Sequence, residues 1–105
     1  MSNIQAVLVL GPQGVVESAV DDPALNLEQI VEEYATLLRI ARSASEDSGA
    51  GNLVENILIS EKSVMIARSI SPDRDLLLLC RAQDQIGRAR YELKQAAWAI
   101  RKSIV

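Results

Sequence analysis

The run Leu76-Leu77-Leu78-Leu79-Cys80 constrains what this chain can become more than any other feature. It is far shorter than the roughly 20 apolar residues that a membrane-spanning helix requires. Acidic and turn-forming residues precede it at Ser71-Pro72-Asp73 and Asp75, and Arg81 follows. The segment Asp75 to Arg81 therefore reads as a strand. Successive strand side chains point to opposite faces, so a strand that is apolar throughout needs cover on both. That favours a sheet sandwiched by helices, or by helices and a second subunit. With 105 residues, 49% of them apolar, the chain is expected to form one globular domain over residues 1–105.

The other elements follow from period and punctuation. Ile4 to Leu10 and Val15 to Val20 read as strands joined by the turn Gly11-Pro12-Gln13-Gly14, in which proline presets φ and both glycines tolerate positive φ. Asp21-Asp22-Pro23 ends this hairpin. A long helix is expected from Leu27 to Glu46, capped by Asn26 with Gln29 three residues on. Its apolar stripe is Leu27, Ile30, Val31, Tyr34, Leu37, Leu38, Ala41 and Ser45, with Glu28, Glu32 and Glu33 early and Arg39 and Arg42 later, as the helix dipole prefers. Gly49 to Asn52 ends the helix. Leu53 to Ser60 and Ser63 to Ile70 are the next strands, around a tip at Glu61-Lys62. The last helix, capped by Asp84 and running to about Ser103, turns Ile86, Ala89, Leu93, Ala96, Ala97, Ile100 and Ile104 inward. The order is strand-strand-helix-strand-strand-strand-helix.

Composition excludes several kinds of chemistry. There is no histidine, the commonest general base and metal ligand near neutral pH. Cys80 is the one cysteine, so no internal disulfide can form, and it reads as a small buried hydrophobe. Asp21-Asp22 and Asp73/Asp75 read as solvated turn residues. Gly11-Pro12-Gln13-Gly14 is not a phosphate loop, since no Lys-Ser/Thr follows and no helix starts there. The expectation is a protein that is not an enzyme and carries neither cofactor nor metal. The start Met1-Ser2-Asn3-Ile4 has no secretory pattern, which points to the cytoplasm. Net charge is −3, no reason to expect nucleic acid, but it is unevenly spread. Residues 81–105 hold six bases against two acids, and residues 1–80 hold five against twelve. Such asymmetry guides oriented self-association or an acidic partner.

The hairpin Val7 to Val16, the three-strand meander after the long helix, and Ile86-Gly87-Arg88-Ala89-Arg90-Tyr91-Glu92-Leu93 resemble the Roadblock/dynein light chain family over nearly the whole chain. The resemblance implies an α+β, profilin-like α/β/α fold: a five-stranded, mostly antiparallel sheet with helices on opposite faces. Two departures stand out. Family members often carry Asp-Gly in the first turn, where this chain has Gln13-Gly14. Many begin with an extra helix beside the last one. Only three residues precede Ile4, so that helix is expected to be missing and one side of the last helix left uncovered. The resemblance further implies a homodimer joined through the strand after the long helix (Leu53, Glu55, Ile57, Ile59) and through the long helices (Glu33, Thr36, Ile40). Dimers of this family bind or regulate Ras-like GTPases, or serve as scaffolds for motor and signalling complexes.

Tyr91 and Trp98 are seven residues apart, so they share one helix face, about 150° from the inward stripe at 100° per residue. Either flanking structure covers them or they lie flat on the surface, or else they form a contact surface. Their enrichment at interfaces favours the second. Lys94, Arg101 and Lys102 lie nearby, so an acidic partner or a second dimer, giving a tetramer, would fit. The main functional expectation is thus a non-catalytic dimeric regulator or scaffold for a small Ras-like GTPase or a signalling or motor complex. The alternative is a small-molecule or peptide sensing domain of profilin-like architecture, which needs a pocket between sheet and helix. Membrane binding by the basic last helix is weaker, because the core needs its apolar stripe.

Overall fold

The computed structural model describes residues 4–81 and 86–104, with Ser103 and Ile104 described in backbone only. The elements are β1 (Ile4–Gly11), β2 (Gly14–Val20), α1 (Leu27–Asp47), β3 (Glu55–Ile59), β4 (Val64–Ser71), β5 (Arg74–Cys80) and α2 (Ile86–Ile104). The expected Asp84 cap and the Ile104 side chain lie outside the described residues.

The strands form one sheet in the order β2-β1-β5-β4-β3, and its pairings are antiparallel. The leucine-rich β5 takes the central place, between β1 and β4. Leu77 and Leu79 join Ala6, Leu8, Met65, Ala67 and Leu38 in a core under α1. Leu76, Leu78 and Cys80 join Val64, Ile66, Ile70, Ala89, Leu93 and Ala97 in a second core under α2. The two helices therefore cover opposite faces. Each fully buried leucine contributes about 1.5–3 kcal/mol of burial.

Local chemistry sets the ends of the elements. Asn26 caps α1, its side-chain oxygen accepting from the Gln29 N–H at 3.2 Å. At the other end Ser48 is the cap and Gly49 takes a φ of 81°. The Gly49 N–H reaches the Glu46 carbonyl and the Ala50 N–H reaches that of Ser45, a Schellman closure. This closure carries the helix one residue beyond the expected Glu46. No base lies in the last turn. Arg42 instead pairs with Asp75 at 2.5 Å, so an ion pair with β5 rather than the helix dipole accounts for its place. In the first turn of the chain only Gly14 adopts positive φ (118°). Gly11 serves a different need, since a Cβ there would come within 3.0 Å of Val16 Cγ2.

Two further expectations need correction. Leu53 and Ser60 lie outside β3, whose strand pairing begins at Glu55 and ends at Ile59. Ala96 is exposed rather than inward. It sits about 60° from Leu93 on the helix, and its short side chain does not reach the sheet.

Cys80 is buried, and burial pushes its thiol pKa up. A thiol held protonated and shielded is a poor nucleophile. Native protein at pH 8 is expected to leave Cys80 unlabelled by a disulfide reagent on the timescale that labels the denatured chain fully. Equal rates in both states would show that the strand end opens freely.

Candidate interaction surfaces

Two surfaces stand out, the β3 edge of the sheet and the outer face of α2. β3 is an edge strand. The Ser69 N–H bonds the Val54 carbonyl at 3.0 Å, and the Ser60 N–H bonds the Ser63 carbonyl at 2.9 Å. In an antiparallel ladder hydrogen-bonded pairs alternate with pairs that are not bonded. With Glu55 opposite Arg68 and Ile57 opposite Ile66, residues 54, 56, 58 and 60 turn their backbone groups toward β4. Glu55, Ile57 and Ile59 therefore turn theirs outward, along the free edge.

The side chains of those three residues point to the α2 face. Ile57 packs against the core under α2. The Glu55 carboxylate accepts from Arg68 Nη1 and from Arg90 Nε, both at 2.7 Å, which ties β3 to α2. Ile59 is 59% exposed. Glu33, Thr36 and Ile40 are also exposed, Ile40 at 59%, but they belong to α1 on the other side of the sheet. The Thr36 hydroxyl donates to the Glu32 carbonyl at 2.9 Å. The two expected sets of interface residues thus lie on opposite faces, and only the backbone edge of β3 is common ground. Leu58, opposite Met65 of the α1-side core, is the exposed apolar residue of β3 on the α1 side. Leu58 alternates out of the Glu55, Ile57, Ile59 series, so strand periodicity alone does not place it at the interface.

On α2, Tyr91 is 64% exposed and Trp98 56%. Lys102 Nζ lies 4.6 Å from the centroid of the Trp98 ring, a cation–π distance. Arg101 is placed differently from Lys94 and Lys102. Its Nε donates to the Ile70 carbonyl at 2.9 Å and its Nη2 to the Ser69 carbonyl at 2.7 Å, so it fastens α2 to the end of β4. Trp98, Lys94, Gln95, Ala97, Arg101 and Arg68 line a cavity of about 230 Å³.

Three of the four acids expected as solvated turn residues are engaged internally, and Asp75 is not a turn residue, since it lies within β5 and is buried. Asp22 accepts from the Ala24 N–H, from Gln5 and from Arg81, and these bonds hold its carboxyl below the usual carboxylate range. Asp73 accepts from the Ser71 hydroxyl, and Asp75 pairs with Arg42. Among the described residues no three or more His, Cys, Asp or Glu side chains gather as a metal site. Among them, too, no helix is long and apolar enough to cross a membrane.

A five-stranded antiparallel sheet between two helices, in this connectivity, is the Roadblock/LC7 fold. The crystal structure of a Roadblock/LC7 domain from Streptomyces avermitilis is similar at a TM-score of 0.81 and 15% identity, over 97% of this chain and 86% of that one. The crystal structure of MglC from Myxococcus xanthus is similar at a TM-score of 0.65 and 33% identity, over 96% of this chain and 87% of that one. The chain belongs to the Roadblock/LC7 family. No family model and no curated protein sequence matches it.

Proposed function

We propose that the chain is a non-catalytic homodimeric scaffold that binds a Ras-like GTPase in the cytoplasm. The observation that carries the reading is the β3 edge. Its outward N–H and C=O groups form an unpaired template of the kind that proteins cover or blunt, and little on Glu55–Ile59 blunts it. Glu55 is held by Arg68 and Arg90, and Ile57 and Ile59 are apolar. A twofold axis at Ile57 would set Glu55 of one protomer opposite Ile59 of the next. Those pairs would exchange up to about six backbone hydrogen bonds and join two sheets into one. Leu58, with Ile40, Thr36 and Glu33 on α1, would then supply side-chain contacts on the α1 side. Family membership supports a regulatory or scaffold role, and the resemblance read from the sequence supplies the GTPase as partner class.

Binding energy that differs between the two nucleotide states of such a GTPase would shift its conformational equilibrium. The purified dimer, immobilised and exposed to extract of its own cells, is expected to retain a Ras-like GTPase whose yield changes between GDP and a non-hydrolysable GTP analogue. Retention of no guanine-nucleotide-binding protein in either state would overturn this reading.

A further inference from the structure

We infer that the outer face of α2 is a docking site for an acidic amphipathic helix of a second protein, on the opposite side of the sheet from α1 and independent of the dimer. Gly87, Tyr91, Trp98 and Lys102 follow one another at four-, seven- and four-residue steps, within about 60° of arc and over about 22 Å of axis. Lys94 and Gln95 flank them. The inward stripe is complete without these residues, since Ala89, Leu93 and Ala97 are buried. Tyr91 and Trp98 therefore contribute little to the core, and together they leave roughly a few hundred Å² of mostly apolar surface in water, the size at which patches are often functional.

Three observations choose the occupant. The first is charge. Arg88 is paired with Glu92, Arg90 with Glu55, and Arg101 donates to backbone carbonyls. Lys94 and Lys102 have no carboxylate partner among the described residues, and both flank Trp98, so the charge left to be met on this face is positive. The second is spacing. Two aromatics seven residues apart match the two-turn repeat of a helix lying alongside. The third is Gly87. It is exposed, and a Cβ built on it meets nothing within 4 Å. Nothing described within the protomer calls for a glycine there, while a bare backbone lets another chain approach closely. A lipid surface fits poorly, because the apolar stripe that would enter it is turned into the core. Two lysines are also too few for a track of nucleic-acid phosphates.

The test installs the photocrosslinker benzoylphenylalanine at Gln95 of the full chain, in its own cells. The expected product joins α2 to one protein, at a segment where Asp and Glu outnumber Lys and Arg and apolar residues recur at helical spacing. Its yield should fall at least tenfold in Tyr91→Ser/Trp98→Ser and in Lys94→Glu/Lys102→Glu. It should fall similarly in Gly87→Gln, which fills the bare position with a better helix former and should melt no lower than the parent. Crosslinks to a second copy of this chain, to lipid or to a basic segment would overturn the proposal. So would the absence of any product, or a yield that survives these substitutions in folded protein.

Discussion

Replacing Ile59 with proline is expected to leave the protomer folded and to convert particles of twice 11.4 kDa into particles of 11.4 kDa. The ladder with β4 turns the Ile59 N–H toward the free edge, so proline removes no hydrogen bond inside the protomer. Proline is tolerated on edge strands where its nitrogen faces out, and the side chain it replaces is largely exposed. Across a twofold at Ile57, however, each Ile59 N–H would meet the Glu55 carbonyl of the other protomer. The substitution removes both such bonds, sets a ring against each partner strand and strands two carbonyls. At about 1 kcal/mol for each lost bond and a similar desolvation term for each stranded carbonyl, about 4 kcal/mol in all, dimerisation should weaken by roughly 1,000-fold. Light scattering across the micromolar range reads the mass, and circular dichroism checks the fold. A folded Ile59→Pro protein that remains dimeric at all concentrations would move the interface away from β3. Ile59→Val, which keeps the donor, should behave like the parent.

That experiment depends on a distinction the sequence could not make. Period-two alternation correctly put Glu55, Ile57 and Ile59 in one series, but not on which face. Only the register with β4 shows that their backbone groups face the edge while their side chains face α2. Glu55 illustrates the loss most clearly. An exposed strand acid is what alternation implies, yet it sits between Arg68, thirteen residues away, and Arg90, thirty-five residues away. Arg101 is similar. In sequence it was one more base near Trp98, and in space it holds the carbonyls of Ser69 and Ile70. Long-range pairings of this kind leave no mark on a local pattern.

The apolar run was legible because its meaning is local. Five consecutive apolar residues in a strand need two covered faces, and the central place between β1 and β4 with a core on each side meets that need. The outward position of Tyr91 and Trp98 was legible for a similar reason: helical angle alone sets them opposite Leu93. The length of β3 was not, because Leu53 carries the right residue type but the ladder with β4 begins later.

The Arg42–Asp75 pair yields the sharpest stability prediction, because its two members are not equally replaceable. Asp75 is the second residue of the central strand, and its side chain is 8% exposed, against 25% for Arg42. Arg42→Ala removes the counter-ion from a carboxylate that shares a cavity with Leu10 and Leu38. Removing one partner of a buried pair costs about 3–5 kcal/mol. The cavity of about 390 Å³ that Asp75 shares with Arg39, Ser43 and Glu46 lets water approach, which keeps the loss near the lower figure. In Asp75→Asn the long arginine can swing its head into solvent, and the loss should be only about 1 kcal/mol, the worth of an ordinary hydrogen bond. Denaturant titration should therefore rank the parent first, then Asp75→Asn, then Arg42→Ala. The double variant Arg42→Ala/Asp75→Asn should be more stable than Arg42→Ala alone, because neutralising the orphaned carboxylate removes the source of the penalty. If the two single variants lose equal stability and their losses add in the double, the pair is a surface contact and not the buried lock between α1 and β5 that its exposure implies.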